Sequence, residues 1–235
     1  MKVGIIGAMK VEVESLVAGI DHDEVSHLAG MEFHEGTLEG VPVAVVRCGV
    51  GKVNAAVCAE ALAVRFNVTH VINTGVAGSL NARLDIGDIL VSRDAVHHDL
   101  DVTTLGYAKG EVPGLPVVAF PASAELVAAV SAAVRQLDLG ISCIEGRVAS
   151  GDQFVGDQAQ KELIARDFQA DCCEMEGASI AHACWLNGIP FAIVRAISDK
   201  ADGSARQDYP SFERKAAHDC AAIVRKTLGE LTSNG

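Results

Sequence analysis

Strand-length apolar runs alternate with helix-period segments along the whole chain, and that alternation narrows the fold more than any single motif does. The short runs stand at Val3 to Ile6, Val41 to Val46, Val71 to Asn73, Ile89 to Ser92 and Phe191 to Ile197. Between them, Val53, Val57, Ala61 and Val64 share one helical face, as do Leu126, Val130, Val134 and Leu137, with Ser123 placed as an N-cap. Asp157 followed by Gln160 reads as a capping box ahead of Leu163 and Ile164. The stretch from Asp208 to Leu231 puts Phe212, Ala216, Cys220, Val224, Leu228 and Leu231 on one side of a long surface helix. Strands alternating with helices predict an α/β layered fold. A Glu39-Gly40 turn between Glu32 to Leu38 and Val41 to Val46 predicts an antiparallel hairpin, so the sheet is expected to be mixed. No linker, repeat or compositional break divides residues 1–235, which predicts one domain. The least regular segment, Thr103 to Ala122, holds Gly106, Gly110, Pro113, Gly114, Pro116 and Pro121 and is the candidate functional loop.

Composition removes several function classes. The chain has 19 Lys plus Arg against 31 Asp plus Glu, a formal charge of −12 at pH 7, so no Coulombic attraction favours nucleic acid or an anionic membrane surface. No apolar stretch approaches the roughly 18 residues that span a bilayer. Val3 to Met9 is too soon followed by Lys10, Glu12 and Glu14 to act as a secretory signal, and reads as a first strand. Seven cysteines, with no C-x-x-C pair and mostly inside apolar runs, suit reduced thiols and a cytoplasmic location.

Glycine-rich stretches invite a nucleotide claim that their spacing rejects. Gly4-x-x-Gly7 lacks the dinucleotide fingerprint, and Gly49-Val50-Gly51-Lys52 lacks both the earlier glycine and the following Ser or Thr of a phosphate loop. What remains is glycine directly after strands, at Gly7, Gly49, Gly51, Gly75 and Gly78, where backbone can approach a ligand or merely turn. His97 and His98, adjacent on an extended segment, point to opposite faces and do not make a metal site with Asp99 and Asp101. No metal or organic cofactor is expected. Four acids interrupt or end apolar elements: Glu12, Glu174, Glu176 and Asp199. If the chain is still extended there, Glu174 and Glu176 share a face with Met175 on the other. Each alone reads best as a helix cap or a turn closer. Carboxylates gathered from three strand ends suit acid/base work on a developing cation.

Taken together, seven segments resemble the bacterial 5′-methylthioadenosine/S-adenosylhomocysteine nucleosidases, in the purine nucleoside phosphorylase/uridine phosphorylase superfamily. They are Gly4-Ile-Ile-Gly-Ala-Met-x-x-Glu12, Gly49-Val-Gly-Lys-Val-Asn-Ala-Ala56, Asn73-Thr-Gly-Val-Ala-Gly78, Asp101-Val-Thr-x-x-Gly-Tyr107, Ser150-Gly-Asp-x-Phe154, Glu174-Met-Glu176 and Arg195-Ala-Ile-Ser-Asp199. The resemblance implies a three-layer α/β/α, nucleoside phosphorylase-like fold around a mixed central sheet, a homodimer, and hydrolysis of the N-glycosidic bond of 5′-substituted adenosines. It gives Asp199 the proton for N7 of adenine, through a carboxyl that burial and neighbouring acids keep protonated near neutral pH. Glu12 would deprotonate the attacking water, with Arg195 near that water. Glu176 would bind the ribose 2′- and 3′-hydroxyls, Met175 would pack on the sugar, Phe154 would stack on adenine and the Val155 backbone would read its edge. Val76, Glu174 and Ser198 fall in the same substrate site. Met9, Val50, Tyr107 and Phe212 would meet the 5′-substituent together with Leu105 and Pro113 from a partner subunit. Two positions depart from the family pattern: Val76 stands where many relatives have serine, and Leu105 replaces a common phenylalanine.

Competing expectations are phosphorolysis by a transferase of the same superfamily, cleavage of 6-amino-6-deoxyfutalosine, and a nucleoside-binding module without turnover. Phosphorolysis needs cations around the phosphate, whereas Glu12 and Val76 offer none. A pure binder has no use for a water-activating acid.

Overall fold

The computed structural model describes the backbone of residues 1–201 and 205–233, and the side chains of residues 1–201 and 212–232. Among the described residues, ten strands and six α-helices follow one another as β1 (Val3–Gly7), α1 (Lys10–Val17), β2 (Asp21–Leu28), β3 (Met31–Leu38), β4 (Val41–Arg47), α2 (Lys52–Val64), β5 (His70–Ser79), β6 (Ile89–His97), β7 (Phe120–Pro121), α3 (Ala124–Leu137), β8 (Cys143–Ser150), α4 (Gln158–Phe168), β9 (Cys172–Glu174), α5 (Gly177–Asn187), β10 (Phe191–Asp199) and α6 (Ala205–Ser233). All strands join one mixed sheet. β1 runs parallel to β4 and β5, and β5 parallel to β10. β2, β3 and β4 form an antiparallel meander at one edge.

Alternation along the strands explains why the sheet is covered twice. In β4, Val41, Val43 and Val45 pack into one core with α1, α3 and α6, while Ala44 and Val46 pack into another with α2 and α5. The result is the expected three-layer α/β/α arrangement. A smaller third cluster places Ile164 and Phe168 of α4 over Val96, Ala149 and Cys173. Each buried Val, Leu or Ile of these cores contributes roughly 1.5–3 kcal/mol of transfer free energy.

The β3–β4 hairpin turns at Glu39 and Gly40, both left-handed at φ +50° and +78°, with Leu38 facing Val41. That is the type I′ geometry whose twist matches the flanking strands. A second hairpin of the same kind at Ala29-Gly30 joins β2 to β3. β2 escaped the sequence pattern because Asp21–Leu28 lies at an open edge, almost wholly exposed, and carries no apolar alternation.

Three local expectations change. The run at Val71 to Asn73 continues as strand to Ser79, so Gly75 and Gly78 sit inside β5 rather than after it. In α2 the face carrying Val53, Val57 and Val64 points outward, Val53 being 74% and Val64 66% exposed, while Ala55, Cys58, Ala59 and Leu62 are buried. The Asp157 side chain accepts from Gln160 N at 2.9 Å, but the Gln160 amide donates to Gln153 Oε1 instead of returning to the cap, leaving half a capping box. The Ser123 cap does form, accepting from Leu126 N.

The long β5 has a further consequence. It pairs with β10, β10 with β6, β6 with β8, β8 with β9, and the three-residue β9 returns to β5 through Gly78 and Ser79. Five strands therefore close a ring at one end of the sheet, and the ends of β1, β5, β9 and β10 come together around one hollow.

Candidate active site

The hollow has a volume of about 240 Å³ and is lined by Ala8, Met9, Glu12, Val50, Val76, Ala77, Gly78, Gln153, Phe154, Val155, Cys173, Glu174, Met175, Glu176, Ser198 and Asp199. It lies beyond the carboxyl ends of the parallel strands β1, β5 and β10, where open α/β sheets receive ligands. Glu12 and Asp199, 187 positions apart in sequence, face the same cavity.

Glu12 is the third residue of α1, and its carboxylate turns back on the helix start. Oε2 accepts from Ala8 N at 2.7 Å and Met9 N at 2.9 Å, and Oε1 from Val76 N at 3.2 Å. The acid thus caps its own helix and is held against β5. Burial pushes its pKa up, opposed by the Arg195 guanidinium and the three backbone donors.

The room for this arrangement comes from Gly75. A Cβ there would lie 2.5 Å from Glu12 Oε1 and 2.8 Å from Arg195 Nη1. Gly78 does the same at the other acid, since its Cβ would stand 3.0 Å from Asp199 Oδ2. Both glycines are in-strand positions where a neighbour approaches the backbone. Asp199 ends β10: Oδ1 accepts from Ser198 Oγ at 2.8 Å and Oδ2 from Ala201 N at 2.8 Å, the turn closure anticipated for an aspartate there.

The two glutamates around Met175 take separate directions because β9 ends at Glu174 and the chain turns into α5. Glu174 points inward. Its carboxylate accepts from Ser150 Oγ, from the Gly177 amide at 2.8 Å and from Arg195 Nη2. Burial raises its pKa, yet Arg195, Ser150 and the Gly177 amide together hold it below the usual carboxylate range. Glu176 is the N-cap residue of α5 and accepts from Gly51 N at 2.8 Å across 125 residues of sequence. Burial, with Glu174 and Glu12 nearby, raises it to about 7 against the pull of Arg195 and the Gly51 amide.

Arg195 lies behind the cavity wall, 2% exposed, with Nη2 on Asn73 Oδ1 at 2.6 Å and on Glu174. Burial works against its charge, but three glutamates outweigh that and raise its pKa. One guanidinium thereby balances a cluster of three carboxylates, the condition under which so many acids tolerate burial.

The expected 5′-side residues divide. Met9 and Val50 line the cavity, as does Val76 of the wider substrate site. Leu105, Tyr107 and Pro113 lie on the exposed segment between β6 and β7, and Phe212 is exposed on α6; none of these four lines the hollow among the described residues. Sequence reading missed Ala8, Ala77, Gln153 and Cys173 as lining residues. Cys173 had a signal: on β9 it neighbours Glu174 and precedes the acidic motif. Burial pushes its thiol pKa up, so it presents a neutral wall. His97 and His98 part company, His97 packing against Phe120 and His182, His98 near Phe168.

Residues 2–229 match the family described as the phosphorylase superfamily. A 5′-methylthioadenosine/S-adenosylhomocysteine nucleosidase of Shewanella sp. (strain W3-18-1) is 40% identical over 98% of this chain and 100% of its own length. The structure of such a nucleosidase from Colwellia psychrerythraea in complex with adenine superposes with a TM-score of 0.95 at 38% identity, covering 98% of this chain and 96% of that one. A futalosine hydrolase of Helicobacter pylori superposes with a TM-score of 0.92 at 34% identity, covering 98% of each chain. By its motifs, its fold and its relatives, the chain belongs to the 5′-methylthioadenosine/S-adenosylhomocysteine nucleosidase family of the phosphorylase superfamily.

Proposed function

We propose that this chain, an N-glycosyl hydrolase of 5′-substituted adenosines, cleaves the C1′–N9 bond between Asp199 on the base side and Glu12 on the water side. The observation that carries this reading is the shared cavity: the two acids, with Glu176 beside them, line one hollow of nucleoside size. Asp199 protonates N7 and lets adenine leave neutral. Glu12 takes a proton from water as that water attacks the anomeric carbon, and its three backbone donors hold the carboxylate in place for the task. Glu176 accepts from the ribose 2′- and 3′-hydroxyls. Its negative charge, with that of Glu12, stabilises the oxocarbenium-like transition state. Phe154 stacks on adenine, the Val155 backbone reads its edge, Met175 packs on the sugar and Ser198 orients Asp199 through its hydroxyl. Arg195, from behind the wall, and Glu174, in it, act as a charged brace for Glu12 and the α5 turn.

The same carboxylates repel phosphate, which favours hydrolysis over phosphorolysis. The substrate class follows from the adenosine pocket; 6-amino-6-deoxyfutalosine is the competing adenine nucleoside. A partner copy completes the 5′-side: the outward valines of α2, Leu186 on the neighbouring α5 and, on the β6–β7 segment, Leu105 at 73% exposure are apolar residues left for a second subunit to cover. Residues 1–235 work as one nucleosidase domain in a homodimer. The seven free thiols suit a cytoplasmic location, and no helix among the described residues is long and apolar enough to cross a membrane.

Purified enzyme is expected to release adenine from methylthioadenosine in phosphate-free buffer. Adding phosphate is expected to yield no sugar 1-phosphate; phosphate-dependent turnover overturns the hydrolase reading. Comparing kcat/KM for methylthioadenosine, S-adenosylhomocysteine, 5′-deoxyadenosine and aminodeoxyfutalosine ranks the substrates.

A further inference from the structure

The glycine loop after β4 has no side chain with which to cap α2, yet the start of that helix is firmly tied. Gly51 is its N-cap, left-handed at φ +97°, and makes no side-chain cap bond. Asp152 supplies the missing acceptor from 100 residues away, its Oδ1 accepting from Lys52 N at 2.8 Å. The approach is close: a Cβ on Gly51 would lie 3.0 Å from that oxygen. Lys52 Nζ in turn donates to Asp99 Oδ1 at 2.6 Å, and Asp99 Oδ2 accepts from Asp152 N at 2.9 Å. Three chain segments are thus closed into a ring: the β4–α2 loop, the residues after β6 and the loop after β8. None of the three residues lines the cavity.

What the ring holds is the active-site wall. The Gly51 amide, one residue before Lys52, is the hydrogen-bond donor to Glu176 Oε1 among the described residues. Phe154 and Val155 follow Asp152 by two and three residues. The geometry points to Lys52, Asp99 and Asp152 as a positioning clasp that fixes the Glu176 carboxylate, through the Gly51 amide, for its grip on the ribose hydroxyls. The inference rests on the nucleosidase reading above. Lys52 and Asp99 are only partly covered, so removing their charges loosens the loop without leaving a buried ion unpaired in the core. Burial raises the pKa of Asp99, yet the hydrogen bond and charge of Lys52 and the Asp152 amide together hold it below the usual carboxylate range.

The test compares methylthioadenosine with its 3′-deoxy analogue in wild type, Lys52→Met, Lys52→Arg and Glu176→Gln. With Lys52→Met, kcat/KM on methylthioadenosine is expected to fall about tenfold, the size of one charged hydrogen bond. The analogue, which keeps only the 2′-hydroxyl for Glu176, is expected to lose less than methylthioadenosine does, so the ratio between substrates shrinks. Glu176→Gln shrinks the same ratio and Lys52→Arg restores it. Equal losses on both substrates, or no loss on either, overturn the clasp while wild-type turnover leaves the nucleosidase reading standing. Failure of wild type to release adenine sinks that reading and the clasp with it. Asp99→Asn, close to isosteric, gives the same comparison should Lys52→Met fail to fold.

Discussion

The floor and the rim of the cavity are built on opposite principles. On the floor, Glu12, Glu174, Glu176 and Asp199 are buried; the three glutamates meet backbone amides or hydroxyls from segments far away in sequence, and Asp199 is held by its neighbours Ser198 and Ala201. At the rim, Val50 is apolar and exposed, and Leu105, Tyr107 and Phe212, exposed as well, lie outside the cavity lining. The contrast teaches that the acid/base groups find their partners within one chain, while the apolar residues expected at the 5′-side stay uncovered on it. A buried carboxylate needs its partners at fixed distance, whereas an apolar rim is satisfied by any matching surface.

The sharpest way to break the comparison is at the floor. Asp199→Asn is expected to lower kcat on methylthioadenosine by roughly 10²–10⁴-fold, the range for a general acid. Binding of a substrate analogue, read by calorimetry, is expected to survive far better; equal activity in the variant contradicts the acid role.

Gly75→Ala tests whether the floor depends on space rather than on charge alone. The added methyl would collide with Glu12 Oε1 and Arg195 Nη1. Overpacking is expected to cost roughly 1–3 kcal/mol of stability, and a misplaced Glu12 about 10²-fold in kcat. Melting curves and steady-state rates read the two effects separately.

Glu176 sharpens the comparison through pH. Its folded pKa of about 7 lies above the ~4.3 of a free glutamate, so the folded state binds the extra proton. That contribution to stability is full below the unfolded value and is lost as pH rises through about 7. The unliganded wild type is therefore expected to lose more Tm than Glu176→Gln over that window. A wild type gaining stability relative to the variant there would contradict the assignment.

The smallest effect on chemistry is expected on the outward face of α2, the proposed subunit contact. Val53→Asp puts a charge on the outward face of α2 and is expected to shift sedimentation of the proposed homodimer toward monomer. It raises KM for methylthioadenosine while kcat at saturation changes least. An unchanged sedimentation coefficient would remove α2 from the subunit contact.

Legibility followed the range of the interactions. The Glu39-Gly40 hairpin, the Ser123 cap and the alternation of β4 depend on neighbours two to four residues away, and the chain states them locally. β2 was invisible because an exposed edge strand needs no apolar face, and the full length of β5 because Gly75 and Gly78 look like a turn until their neighbours are known. The four acids were legible as a set, but the separation of Glu174 from Glu176 was not: it hangs on Arg195, Ser150 and Gly51, none of them a sequence neighbour.

By itself the sequence determined the layered α/β class, the family to which its motifs belong and the residue types available for acid/base work. Those follow from local periodicity and from side-chain chemistry. Tertiary structure decided which carboxylate faces the cavity, which one is spent on a guanidinium and which face of α2 is left bare. A carboxylate's protonation and partners are set by burial and by groups brought within about 3 Å from distant segments, and no local pattern encodes that distance.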